Sequence, residues 1–335
     1  MAWYYKVYPQ SSAVMQRRQF LYLAPVAAGI GLLPIMGCGN SGTQWPDKPG
    51  PKVLVTFAPY YCFAGNVVGD KGTVKSLLST QGPHHADTNI AERTLIEQAD
   101  LLFINGLGLD DRFGRKLRKD SSNRKLELIN LGSKLDQKAL LDMVEDGHDH
   151  AGHDHGDHDP HVWLSPTFAI RMVEAIRDEL KKNAPQFATD YDANAAAYIT
   201  KLQALKDEGN KQLADRKDRK LVTVHEALGY FAQSFNLKIA GVIQNMPGQE
   251  PNPTQLADLI TKCKKENVRI IAVEPQYSSR GSADTLKREL VKAGIIDPQI
   301  IELDTLETAT IADLTADWYE RHMRENLAEL AKVMK

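Results

Sequence analysis

The sequence predicts an α/β fold of two lobes, each with a mostly parallel four-stranded sheet flanked by helices, joined by one long rigid helix. Short β-rich runs alternate with segments of helical periodicity in both halves of the chain, which is the pattern of a parallel sheet. Between the two halves, apolar residues recur at helical spacing in a stretch without proline from Gln186 to Lys220. The 335 residues, 42% of them hydrophobic, suffice for two domains with cores of ordinary size.

The predicted strands fall into two series of four. In the first series they are Val53–Phe57, Thr73–Leu78, Leu101–Ile104 and Leu126–Asn130. In the second they are Leu221–Val224, Lys238–Ile243, Arg269–Val273 and Ile300–Leu303, followed by an amphipathic helix from Ile311 to about Met334. These series place the N-terminal lobe at residues 53–186 and the C-terminal lobe at residues 218–335.

A long helix is predicted between the lobes, over residues 187–217. Its apolar face is spaced by four, three, four and three residues, through Tyr191, Ala195, Tyr198, Leu202 and Leu205. At ~1.5 Å per residue such a helix is about 40 Å long, so we expect a stiff strut along both lobes.

Residues 1–38 resemble an export signal. Paired Arg17 and Arg18 precede an apolar run that is short for a membrane span and is broken by Pro25 and Pro34. The run ends at Ile-Met-Gly-Cys38, which resembles the lipobox of bacterial lipoproteins, and the paired arginines resemble a twin-arginine signal. We expect lipidation at Cys38, a tether over residues 39–52, and a protein held on the outer side of the cytoplasmic membrane. Met15 is a candidate for the true start.

Composition argues against several classes of protein. The formal net charge is −2 and the sequence has no basic stripe, so no nucleic-acid partner is expected. Beyond Cys38, only Cys62 and Cys263 remain, which predicts neither a disulfide framework nor a thiolate zinc site. We expect both to be buried, and the chain to be a monomer.

Residues 145–160 form a histidine-rich loop interleaved with aspartate and glycine. Imidazole has a reference pKa of ~6.5, is mostly neutral at pH 7 and is the commonest protein ligand of Zn²⁺. The pattern predicts a flexible metal-collecting tract, with a solvated low-complexity loop as the alternative. Its histidines are His148, His150, His153, His155 and His158.

Further candidate ligands lie at the ends of predicted strands, where ligands of open α/β sheets tend to bind. His84 and His85 follow one strand, His225 follows another, and Asp304 follows a third. His161, at the end of the histidine-rich loop, precedes a helix start at Ser165-Pro166. Three imidazoles and one carboxylate, two ligands from each lobe, would form a closed tetrahedral site suited to Zn²⁺.

The chain resembles the zinc and manganese substrate-binding proteins of bacterial ABC transporters over essentially all of residues 53–335. The resemblance rests on six motifs: Gly82-Pro83-His84, the segment Gln98 to Gly106, Asp159-Pro160-His161-Val162-Trp163-Leu164-Ser165-Pro166, His225-Glu226-Ala227, Glu274-Pro275-Gln276, and Leu303-Asp304-Thr305-Leu306. The resemblance implies that the protein captures Zn²⁺ with high affinity and delivers it to a membrane permease and its ATPase. It also implies that the protein is not an enzyme.

By motif, the resemblance implies that His84, His161, His225 and Asp304 are the metal ligands. Manganese-type members carry a carboxylate at the position of His225, so the imidazole there indicates zinc. His85 is a second histidine where the family usually has one, and it is left as a second-shell or exposed residue. Glu274 is an alternative or second-shell carboxylate.

The sequence also bears on two other functions. A zinc hydrolase of the zincin type needs a second histidine four residues after His225, and position 229 is glycine. Neither a Gly-x-Ser-x-Gly elbow, a P-loop nor a complete dinucleotide fingerprint is present. An extracytoplasmic metal buffer or chaperone that meets no transporter stays open on sequence alone.

Overall fold

The computed structural model describes residues 44–86, 90–143, 158–244, 253–276 and 280–335, apart from the side chains of residues 85 and 90–92. The predicted export signal with Cys38, and most of the histidine-rich loop, lie outside these ranges. Within them, no helix is long and apolar enough to cross a membrane.

The described residues contain two parallel four-stranded sheets, which confirms the predicted fold class. The N-terminal sheet has the order β2-β1-β3-β4, and its strands are β1 Lys52–Val55, β2 Thr73–Ser76, β3 Leu101–Ile104 and β4 Glu127–Asn130. The C-terminal sheet repeats this topology as β6-β5-β7-β8, with strands β5 Lys220–Thr223, β6 Lys238–Val242, β7 Ile270–Val273 and β8 Gln299–Glu302. β3 and β7 are continuous apolar runs because helices cover both of their faces.

Helices connect and cover the strands. Those around the N-terminal sheet are α1 Ala58–Val68, α2 Ile90–Ile96, α3 Asp111–Asp120 and α4 Pro166–Asn183. Those around the C-terminal sheet are α6 Gly229–Ser234, α7 Pro253–Glu266, α8 Arg280–Lys292 and α9 Trp318–Val333. α4 begins at Pro166, as predicted, because proline fits the first helical position.

The long helix between the two sheets is α5, Ala188–Leu213, with 26 residues. Its buried face contains the five apolar residues whose spacing predicted it. At ~1.5 Å per residue, α5 is about 39 Å long. It packs against α1, α4 and α9, so it contacts elements from both halves of the chain.

One hydrophobic core extends across both halves. It includes the N-terminal sheet, α4, α5, α9 and residues Leu221, Ile270 and Ile301 of the C-terminal sheet. A smaller core lies on the other face of that sheet, under α7 and α8. Cys62 and Cys263 are buried in these cores, as predicted.

The C-terminal helix begins later than predicted, at Trp318 rather than Ile311. The residues between β8 and α9 instead form an extended crossing segment, residues 303–317, that reaches the N-terminal half. Ala309 N donates to Ser79 O at 2.8 Å, Cys62 Sγ donates to Thr315 O at 3.4 Å, and Asn66 Nδ2 donates to Ala316 O at 2.7 Å. The Thr315 and Ala316 carbonyls would have accepted hydrogen bonds within the predicted helix, and here they accept them from the N-terminal half.

Candidate metal centre

His225 and Glu274 meet because they follow neighbouring strands. His225 comes just after β5 and Glu274 just after β7, and these two strands pair in parallel. Their carboxyl ends therefore lie side by side, and His225 Nδ1 donates to Glu274 Oε1 at 2.5 Å. Both side chains are buried. The hydrogen bond fixes the tautomer of His225, so that its Nε2 is the nitrogen available to a metal.

His161 is oriented in the same way by a carboxylate from its own segment. It lies directly before the short 3₁₀ helix Val162–Leu164, which leads into α4. Asp159 Oδ1 accepts hydrogen bonds from His161 N at 2.9 Å and from His161 Nδ1 at 2.7 Å. Tyr230 of α6 donates its hydroxyl to Asp159 O at 3.0 Å, which ties this segment to the C-terminal half.

His84 reaches the same place from the loop after β2. It lies in the 3₁₀ helix Pro83–His85, in which Pro83 occupies the first position. Its Nε2 lies 3.2 Å from His161 Nε2, and its side chain is partly buried. The neighbouring His85 shares the 3₁₀ helix, and its side chain lies outside the described part of the chain.

The fourth side chain is Glu307, which is completely buried. It follows a tight turn in which Leu306 has a φ of 59°, in the left-handed region that leucine rarely adopts. Asp304 stabilises this turn, because its Oδ1 accepts a hydrogen bond from Leu306 N at 2.8 Å. The turn directs Glu307 toward the histidines, where its Oε1 lies 3.6 Å from His84 Nε2 and 3.8 Å from His225 Nε2.

His84, His161, His225 and Glu307 together form a cluster that could hold a metal ion. Each offers one ligand atom, and these four atoms lie within 4.8 Å of one another. Four ligands at ~2.0–2.1 Å around a tetrahedral Zn²⁺ would be separated by about 3.3 Å. The distances of 3.2, 3.6 and 3.8 Å are close to that spacing. The cluster therefore needs little rearrangement to close on one ion.

The charges in the cluster favour a cation. Burial would raise the pKa of Glu307, but the His84 hydrogen bond and the charges of His84, His225 and His161 lower it to about 2, so this side chain is a carboxylate at neutral pH. Burial lowers the pKa of His225, and Glu274 and Glu307 more than offset this, so its pKa is raised. Asp159 and Glu274 add two further carboxylates, which are hydrogen-bonded to the Nδ1 atoms of His161 and His225.

The structure places three of the four predicted ligands in the cluster and the fourth outside it. Asp304 is not in the cluster, because its carboxylate is directed away, toward Leu306 N and His322 of α9. Glu307 provides the carboxylate instead. Glu274 contacts His225 Nδ1 and not the space between the ligand atoms.

Of the predicted collecting loop, only His158 lies within the described ranges. It forms an isolated antiparallel bridge with Asp142, and its Nδ1 lies 3.4 Å from Asp142 Oδ1. His148, His150, His153 and His155 lie outside the described residues.

Two parallel sheets spanned by a long helix, with three imidazoles and a carboxylate converging at their strand ends, define an α/β metal-binding protein. The chain belongs to the ZnuA family, described as the periplasmic component A of a zinc-uptake complex, whose model matches residues 53–333. The resemblance predicted from the motifs is thereby confirmed. The family is one of uptake components and not of enzymes, as the sequence predicted.

Relatives are named for zinc binding or zinc uptake. The chain is 31% identical over 300 residues to the zinc-binding protein AdcA of Streptococcus pyogenes, a match that covers 83% of this chain and 55% of AdcA. It is 35% identical over 267 residues to the high-affinity zinc uptake system protein ZnuA of Bacillus subtilis, covering 77% and 82% of the two chains. The chain thus spans about half the length of its AdcA relatives.

A solved structure agrees with this relationship. Zn(II)-bound AdcA from Streptococcus pneumoniae superposes with a TM-score of 0.66 at 31% identity. The match covers 84% of this chain and 57% of that one.

Proposed function

We propose that this protein captures Zn²⁺ outside the cytoplasmic membrane and delivers it to the permease of an ABC transporter. The observation that supports this most is the largely buried cluster of His84, His161, His225 and Glu307, whose ligand atoms lie within 4.8 Å of one another. Three imidazoles and one carboxylate form a donor set that suits Zn²⁺ better than harder ions. The zinc-binding relatives support the same cargo.

The site is closed, which suits capture rather than catalysis. Four protein ligands fill a tetrahedral shell, whereas catalytic zinc sites keep one position for water or substrate. The orienting carboxylates of Asp159 and Glu274 preassemble two of the imidazoles, so less ordering is needed when the ion binds.

We also propose that the chain is a lipoprotein anchored through Cys38, and that the histidine-rich loop collects zinc for the site. A tethered loop raises the concentration of metal beside the cluster without needing an affinity close to that of the cluster. The ends of the loop meet near the site: Asp159 N donates to Leu141 O at 2.8 Å, and Leu141 N donates to the Tyr230 hydroxyl at 2.9 Å.

Titration calorimetry with chelator competition tests the zinc site. Protein from about residue 40 onward should bind one Zn²⁺ tightly and further ions weakly at the loop. His161→Ala is the test variant, and His85→Ala is the matched control, because it removes an imidazole from the same 3₁₀ helix as His84. A single class of weak sites in the unsubstituted protein would contradict the proposal.

Delivery is tested separately, in cells that lack the chromosomal copy of the gene. The unsubstituted gene should restore growth in chelator-treated medium, and the His161→Ala gene should not. Added zinc should restore growth of the His161→Ala cells. Cys38→Ala should move the protein out of the membrane fraction without changing its zinc affinity. Restoration of growth by His161→Ala would show that the cluster does not serve uptake.

A further inference from the structure

We propose that Thr305 is a positioning residue for the metal centre, acting on His225 through Glu274 and on the His161 segment through Trp163. Thr305 lies in the crossing segment, two residues before Glu307, and it is completely buried. This inference rests on the proposed function of the cluster as a metal site.

The first connection runs from the Thr305 hydroxyl to His225. Glu274 uses one oxygen, Oε1, for His225 Nδ1, and its other oxygen, Oε2, accepts from Thr305 Oγ1 at 3.3 Å. The Gln276 side-chain amide donates to Thr305 Oγ1, so the single hydroxyl proton is free to point at Glu274. A chain of hydrogen bonds therefore holds both oxygens of the carboxylate that orients His225.

The second connection runs from the Thr305 backbone to the segment of His161. Trp163 Nε1 donates to Thr305 O at 2.8 Å, and the Trp163 ring lies 5.2 Å from the His161 ring, centre to centre. Tyr319 of α9 donates its hydroxyl to Trp163 O at 2.7 Å, so the Trp163 backbone is held as well. Thr305 thus contacts the supports of two ligands and is close in sequence to a third, Glu307.

The hydroxyl is the part of Thr305 that can be tested by itself. Replacing it with a methyl group leaves Glu274 Oε2 with one partner fewer in a buried site, which is unfavourable for a carboxylate. Glu274 can then rotate, and with it the imidazole of His225. Changes to such outer partners typically lower metal affinity by about 10- to 100-fold.

The experiment compares Thr305→Val with Thr305→Ser in the same protein from about residue 40 onward. Valine keeps the shape and removes the hydroxyl, whereas serine keeps the hydroxyl. By chelator competition, we expect Thr305→Val to bind one Zn²⁺ with about 10- to 100-fold lower affinity, and Thr305→Ser to retain most of the affinity. The visible spectrum of the Co²⁺-loaded protein should change in the valine variant and return in the serine variant.

A double-mutant cycle separates positioning from general destabilisation. In a Glu274→Ala background, Thr305→Val should cost little further affinity, because the carboxylate through which it acts is gone. Thr305→Ala provides a second hydroxyl-free variant if the valine variant does not fold, as judged by far-UV circular dichroism.

Three results would decide against the inference. Equal affinities for the valine, serine and unsubstituted proteins would overturn the role of Thr305 alone. An undiminished loss in the Glu274→Ala background would show that Thr305 acts by another path. Failure of the unsubstituted protein to bind zinc tightly would instead overturn the proposed function, and the inference with it.

Discussion

His322 Nδ1 on α9 donates a hydrogen bond to Asp304 Oδ2 at 2.8 Å, on the far side of the turn from Glu307. The Asn326 side chain of the same helix binds the Asp304 backbone at both ends: its Oδ1 accepts from Asp304 N at 2.8 Å, and its Nδ2 donates to Asp304 O at 2.7 Å. The carboxylate first predicted as a ligand is therefore part of a clamp. The clamp fixes the turn at Leu306, and the turn directs Glu307 into the cluster.

Glu307→Gln should lower zinc affinity far more than Asp304→Asn. Glutamine removes the negative charge and one oxygen from the cluster, so we expect zinc affinity to fall by more than about a hundredfold. Changes to residues that contact a ligand but not the metal typically cost less than this. Asparagine at 304 keeps an oxygen for Leu306 N, so we expect a loss below about tenfold. Chelator competition on both variants measures the difference, and the reverse order would restore Asp304 as the ligand.

Alanine at His84, His161 or His225 should remove tight zinc binding, whereas His85→Ala should leave it intact. Each of the first three supplies one corner of the tetrahedron, and an added water is a poorer ligand than imidazole. His85→Ala is the matched control, since it removes an imidazole from the same 3₁₀ helix as His84. Isothermal titration of all four variants checks this, and loss of binding in His85→Ala would exchange the roles of the two neighbours.

Manganese should compete poorly with zinc at equilibrium. Three neutral nitrogens and one carboxylate suit Zn²⁺, whereas Mn²⁺ prefers oxygen ligands and lies lowest in the divalent affinity order. Zinc-loaded protein dialysed against excess Mn²⁺ should keep its zinc, as measured by elemental analysis. His225→Asp, which replaces a nitrogen ligand by oxygen, is the comparison variant and should shift the preference toward Mn²⁺. Displacement of zinc from the unsubstituted protein would contradict the assignment.

The metal-free protein should lose part of its stability as the pH rises through about 6, because of Asp110. Burial raises the pKa of Asp110 from 3.8 to about 6, although Thr56 and the Gly106 and Asn105 backbone N–H groups donate to it and oppose the rise. Its contribution is fully present below pH ~3.8 and is lost above pH ~6. The difference corresponds to about 3 kcal/mol.

Urea unfolding of the metal-free protein between pH 4 and 7 measures this effect against Asp110→Asn. The unfolding free energy of the unsubstituted protein minus that of the variant should fall as the pH rises, because other titrating groups cancel in the difference. A difference that stays flat or rises would show that Asp110 is charged throughout this range.

Replacing residues 147–157 with a short Gly-Ser linker should leave the fold and the tight site intact. The base of the loop is closed by the Asp142 and His158 bridge and by Tyr230, all of which this deletion keeps. We expect fewer weakly bound ions and less uptake when zinc is scarce, with unchanged tight affinity. Loss of tight binding, or a lower melting temperature of the metal-free protein, would show that the loop belongs to the site or to the fold.

The sequence allowed the sheets, α5 and three side chains of the cluster to be predicted, because each depends on local patterns. Strand periodicity locates the ends of β2 and β5, and residues beyond those ends include His84 and His225. Glu307 could not be found in this way. It lies in a segment without periodicity, after a left-handed leucine, and its position depends on α9 and on contacts with the N-terminal half.

Strand ends alone indicate Asp304, because it is the first carboxylate after β8. The sequence did show a second candidate, because Glu307 is a carboxylate only three residues after Asp304 and either side chain could have faced the crevice. Only the direction of the turn separates them, and that direction is set by Asn326 and His322, about twenty residues further along the chain.

The crossing segment groups three of the four cluster side chains with the N-terminal half and leaves one with the C-terminal sheet. Glu307 follows a strand of the C-terminal sheet, but its segment is hydrogen-bonded to Ser79, Cys62 and Asn66, on the same side as His84 and His161. Only His225 stays with the carboxyl ends of β5 and β7. An ion leaving by separation of that sheet would therefore lose a single nitrogen first and remain held by three ligands. The three remaining ligands, rather than the bond to His225, would then govern how long the ion is retained.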